Sequence, residues 1–165
     1  MKKRCIVLFL LAGILIPLPA ATISVLVIET GLPPGMGATE SASVWESGLM
    51  DAFFDAGHIV SNAPILRLEE TPGSEFPPEV RRDFDAARIG GSDFFVMVLI
   101  KYRGVPPETE QEEPREITIK LFSVSSGKLI YEMSAAAKAW GSSQEAFLDA
   151  KRNAGYLIPR LSRRG

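Results

Sequence analysis

Three groups of residues have types and spacings that chemistry can use. Gly31-x-x-x-Gly35-x-Gly37 falls between a strand-like run and a helix-like run, the position at which phosphate-cradling loops occur. The pattern lacks the lysine that follows the last glycine of a Walker loop, and its spacing is not that of the dinucleotide fingerprint. Pro33 and Pro34 remove backbone donors, and Glu40 puts negative charge where a phosphate would rest. A flexible turn is the plain expectation for Gly31, Gly35 and Gly37. A small-molecule or nucleotide carrier seated on that loop is the alternative. His58 is the lone histidine, and the lone cysteine, Cys5, lies near the amino terminus. A zinc site would need carboxylates alone to complete it, so neither a metal nor another cofactor is expected, and His58 is expected to be structural or exposed.

The third group is acidic. Glu108, Glu110, Glu112, Glu113 and Glu116 stand in a stretch from Gly104 to Glu116 with Pro106, Pro107 and Pro114. The Asp-x-Asp-x-Asp-Gly pattern of an ordered calcium loop is missing. With no hydrophobic residue except Val105, the stretch is expected to be a solvated connection, offering Pro106, Pro107, Glu108, Glu110, Glu112 and Glu113 to a protein partner. The serines lack the Gly-x-Ser-x-Gly context that activates a nucleophile, so no catalytic residue and no enzyme is expected. An enzyme built from scattered Ser, Asp and Glu is the second alternative.

The elements that must position these residues are clearer. Phe94 to Ile100 reads as the most apolar strand in the chain, with Phe94, Val96, Val98 and Ile100 on one face and Phe95, Met97 and Leu99 on the other. Two oily faces require two covering layers, so this is an interior strand. Ile23 to Glu29 reads as a first strand, and a helix from about Thr39 to Ala56 carries the stripe Ala42, Trp45, Leu49, Phe53 and Ala56. Ser43-x-x-Glu46 offers a capping box one turn inside that helix, and Gly57 is placed to end it. His58–Ser61 and Ile65–Leu68 read as one strand broken around Pro64.

A second helix starts near Pro77 or Pro78, presents Val80, Phe84 and Ala87, and stops at Gly90-Gly91. Ile117–Phe122 and Leu129–Met133 flank a Ser125-Ser126-Gly127-Lys128 turn as a hairpin. Ser142-x-x-Glu145 caps a third helix carrying Ala146, Phe147, Ala150, Ala154, Leu157 and Leu161, with Pro159 bending or fraying its last turn. Trp45 is expected in the core and Trp140 partly exposed. The order β-α-β-α-β-β-β-α predicts one α/β (α+β) domain, a mixed sheet of about five strands flanked by three helices.

The first twenty residues read as a secretory signal peptide. Lys2, Lys3 and Arg4 precede an apolar run from Ile6 to Ile16, and Pro17-Leu18-Pro19-Ala20 offers Leu18-x-Ala20 as a cleavage site. Residues 21–165 would then be the mature domain, periplasmic or secreted. The rival is an uncleaved N-terminal membrane anchor. Losing Lys2, Lys3, Arg4 and Cys5 leaves no cysteine and takes the formal charge from −2 to −5. That acidity gives no reason to bind nucleic acid. Arg160, Arg163 and Arg164 form a small basic tail able to touch anionic head groups, so peripheral membrane association stays open.

Ala86-Ala87-Arg88-Ile89-Gly90-Gly91-Ser92-Asp93-Phe94-Phe95-Val96 is similar to the helix–glycine–strand junction of a group of bacterial envelope domains. Ile117 to Leu129 resembles the hairpin of the same group. The group comprises the curli-secretion component CsgG, the TolB N-terminal domain and the penicillin-binding-protein activator LpoB. The resemblance implies an α/β protein-interaction module of the cell envelope, docking on another envelope protein or on itself. It does not extend to a lipobox cysteine, a following β-propeller or pore-forming segments.

Overall fold

In the computed structural model, residues 20–33, 38–72, 76–103, 114–137 and 140–161 are described. β4 (Phe94–Tyr102) is its centre, and all seven residues from Phe94 to Ile100 are buried, as two oily faces demand. On one side β4 pairs in parallel with β1 (Thr22–Thr30), from Ile23 opposite Phe94 to Thr30 opposite Lys101. On the other it pairs antiparallel with β5 (Pro114–Ser123), and β5 with β6 (Leu129–Ala136). β2 (Ile59–Asn62) and β3 (Leu66–Leu68) both run parallel to β1, consecutive along its far edge. They are the two halves of the strand that Pro64 breaks, so the expected five strands become six in the order β2-β1-β4-β5-β6, with β3 beside β2 on β1.

Two helices cover one face. α1 (Glu40–Asp55) and α3 (Ser143–Leu161) pack on Val25, Val27, Val96, Val98, Ile119 and Leu121 through Trp45, Leu49 and Phe53 and through Ala150, Ala154 and Leu157. Gly48 lets the two helices approach: a Cβ there would lie 2.8 Å from that of Ala150 and 2.7 Å from the Phe147 carbonyl oxygen. The usual cost of a glycine inside a helix is accepted for that contact. α2 (Pro78–Ile89) covers the opposite face, where Phe84 meets Phe95 edge-on at 5.3 Å and Phe76 meets Phe122 at 5.0 Å.

Several boundaries differ from the sequence reading. The cap of α1 is Thr39, whose hydroxyl accepts the Ala42 N–H at 3.0 Å, and not the Ser43-x-x-Glu46 box. Ser43 lies inside the helix and its hydroxyl donates to the Thr39 carbonyl. Ala56 is exposed, because the helix ends before its stripe reaches that residue; Gly48 and Ala52 are buried instead. Glu116 is not a loop residue. Pro114 already pairs with Tyr102 and Glu116 with Lys101, so β5 takes the last three residues of the stretch read as a connection. α3 runs through Pro159 to a buried Leu161. Its start matches the box in part: Ser142 Oγ accepts the Glu145 N–H, but the Glu145 carboxylate accepts from Gly141 rather than from the cap itself. Residues 1–19 lie outside the described residues, and so do Arg163 and Arg164.

Candidate functional site

Open sheets offer ligand sites beyond the carboxyl ends of parallel strands, where successive connections leave in opposite directions. Here β1 leads through α1 to β2 on one side and β4 leads to β5 on the other, so the ends of β1 and β4 make that point. Glu29, next to last in β1, is fully buried there. Its Oε1 accepts the Thr39 hydroxyl at 2.6 Å, and its Oε2 accepts the Thr39 amide at 3.3 Å and Arg67 Nη2 at 3.1 Å. With its proton given to Glu29, the Thr39 hydroxyl is the acceptor for the Tyr102 hydroxyl at 2.8 Å. Register sets Arg67 beside Glu29 across β1 and β3.

This cluster ties the ends of β1, β3 and β4 to the amino end of α1, where a helix favours negative charge. A carboxylate with both oxygens occupied and no solvent access holds elements together; it is not placed to attack or protonate a substrate. The Thr30 hydroxyl and the Nε and Nη1 of Arg67 are buried near the same strand ends without hydrogen-bond partners.

Gly31 follows directly, with φ +83°, and a Cβ on it would lie 2.5 Å from the Tyr102 carbonyl oxygen. The residue is therefore committed to a tight turn packed on the last residue of β4. The two stretches singled out in the sequence, 31–37 and 104–113, thus leave the sheet from neighbouring strand ends. Gly35, Gly37, Pro106, Pro107, Glu108, Glu110, Glu112 and Glu113 lie outside the described residues. His58 is at the other end of the sheet. Its Nδ1 accepts the Ala21 N–H at 3.2 Å, and burial pushes its pKa below the ordinary imidazole value. Among the described residues no group of three or more His, Cys, Asp and Glu could hold a metal ion. No helix among them is long and apolar enough to cross a membrane.

The feature that sequence reading missed is a groove of about 480 Å³ between α3 and the edge strand β6. Ile117, Ile119, Met133 and Ala135 form its floor; Leu148, Asp149, Arg152 and Tyr156 form a wall. Trp140 closes one end, partly exposed as expected, its ring 5.9 Å from buried Trp45. Leu148 and Tyr156 are both about half exposed. The signal was present in two places: Leu148 and Tyr156 are large apolar residues off the buried stripe of α3, and Ala135-Ala136-Ala137 is too small to fill the space opposite them.

Beside the groove, β6 is the last strand of the sheet and presents an open edge among the described residues. Ala137 N–H donates to the Arg115 carbonyl, and the two-residue repeat of an antiparallel ladder then turns the N–H groups of Ala136, Ser134 and Glu132 outward. β6 contains no proline or glycine, and its single charge, Glu132, is paired with Lys120 at 3.4 Å. Proline and an unpaired charge, two of the devices by which edges are usually protected, are absent from β6, and its one register irregularity lies near the Leu129 end, away from the groove.

No protein-family model matches the chain, and no curated protein matches it. Among solved structures it is similar to the PelC dodecamer from Paraburkholderia phytofirmans, at 17% identity and TM-score 0.51, over 88% of this chain and 90% of that one. A point variant of that dodecamer gives 16% identity and TM-score 0.54 over the same shares. Lipoprotein GNA1162 from Neisseria meningitidis matches at 14% identity and TM-score 0.44, over 82% of this chain and 97% of that one. The LpoB C-terminal domain from Escherichia coli matches at 13% identity and TM-score 0.39, over 72% and 83%. At these identities the likeness to the PelC structures is one of fold.

Proposed function

We propose that the chain is a non-enzymatic protein-interaction module of the bacterial cell envelope, with an assembly or accessory role. Residues 1–20 are removed on export, and residues 21–165 work as one domain in the periplasm or outside the cell. The observation that carries this reading is the open edge of β6 beside the apolar groove under α3. Outward N–H and C=O groups are satisfied by another extended chain, and the groove takes its large apolar side chains. The PelC structures support self-association as one form of the interaction, since a chain of similar fold is found there as a dodecamer. The occupant is another envelope protein or a second copy. We assign Pro106, Pro107, Glu108, Glu110, Glu112 and Glu113 to contact with the same partner.

The test is crosslinking in intact cells with the full chain and with Ala136→Pro. Ala136 is exposed and its N–H points outward, so proline there removes an edge donor and no ladder bond. The wild type should give a reproducible crosslinked protein or oligomer that the variant loses while keeping its fold. A wild type that is strictly monomeric and captures nothing in repeated experiments overturns the reading.

A further inference from the structure

The start of β1 is held by side chains rather than by the sheet alone. The Ala21 N–H donates to His58 Nδ1 at 3.2 Å, and the next amide, on Thr22, donates to Asp93 Oδ2 at 2.9 Å. The Ala21 carbonyl accepts the Ile59 N–H at 2.9 Å, and the Asp93 N–H returns to the Thr22 carbonyl at 2.8 Å. Ala21 is 3% exposed, while Ala20 before it is open to solvent. The bond between these two alanines is the one at which the sequence places signal removal. We propose that His58, supported by Asp93, is a receptor for the α-amino group that this cut creates on Ala21. The inference rests on the processing step proposed above.

The chemistry fits an amine better than the amide now present. An amide nitrogen offers one uncharged N–H, whereas an ammonium offers three donors and a positive charge. The lone pair of a neutral imidazole accepts one of those donors, and the Asp93 carboxylate, held on the next amide, sets a negative charge close to the positive one. In the cut, the C–N bond between Ala20 and Ala21 breaks, water supplies the oxygen of the new Ala20 carboxylate, and the released nitrogen takes up both protons of that water to become an ammonium. Removing Ala20 also opens the nitrogen to water, which relieves the cost of charge at a buried residue. Of the charged groups on the elements that meet here, Asp93 precedes β4, Asp55 at the end of α1 is held by Lys151 at 2.9 Å, and β2 carries none. Processing would then generate the group that fastens β1 to β2.

Because His58 is the only histidine, its imidazole can be followed alone by NMR. The full chain is expressed, and the exported product is purified and weighed to locate its first residue. Its imidazole is then titrated before and after selective acetylation of the α-amine. The expected result is a product starting at Ala21, whose imidazole midpoint rises by about half a pH unit once acetylation removes the neighbouring positive charge. An unchanged midpoint in a product starting at Ala21 overturns the receptor while leaving processing intact. A product starting elsewhere overturns the processing step itself.

Discussion

The centre of the sheet and its β6 edge are built from similar residue types to opposite ends. β4 is covered on both faces and paired on both sides, so each of its apolar side chains is removed from water. Among the described residues β6 is paired on one side only, and six of its eight residues from Leu129 to Ala136 are exposed. The same hydrophobic chemistry gives stability at the centre and availability at the edge. A chain that spends its burial in one layer pair can leave another strand free for contact, and that division is what the interaction reading depends on.

Substitutions can break the comparison or sharpen it. The largest effect is expected at the centre: Phe95→Ala should cost about 3–5 kcal/mol, read from the midpoint of denaturant unfolding, whereas Met133→Ala on β6 should cost less than about 1 kcal/mol. Equal costs would end the distinction. Glu29→Ala comes next. It leaves Arg67 buried without its anion and Thr39 without its acceptor, and about 3 kcal/mol should be lost in the same measurement.

Gly31→Ala should cost about 1–3 kcal/mol, because its φ is positive and the Tyr102 carbonyl stands in the way. Gly155→Ala, inside α3 with open space around it, should instead stabilise by up to about 1 kcal/mol.

The smallest effect is in pH. Burial lowers the folded-state pKa of His58, so its contribution is present above the unfolded value of roughly 6.5 and is lost as pH falls through the lower folded value. Glu46 acts in the other sense, since burial raises its pKa and favours the folded state as pH falls toward its protonation. Thermal melts of wild type and His58→Gln from pH 7 to 5 should differ in slope, the variant losing less. Parallel curves would remove His58 from the pH response.

The sequence by itself determined the parts of this protein that depend on near neighbours. Alternation over Phe94–Ile100, the three-and-four spacing of Ala42, Trp45, Leu49 and Phe53, the proline start of α2 and the Ser-Ser-Gly-Lys turn are each written within a few residues, and each appears in the fold. The cap of α1 was misread for the same reason that it matters: Thr39 competes with Ser43 locally, and what favours it is Glu29, ten residues back. Tertiary structure alone decided the rest. Arg67 and Glu29 are 38 residues apart, Thr39 and Tyr102 are 63 apart, and the groove needs α3 laid over a hairpin that ends before the helix begins. Periodicity says which face of an element is apolar, but not which face will find a partner. That is settled when the layers pack, and among the described residues packing left the edge of β6 and the outer side of α3 uncovered.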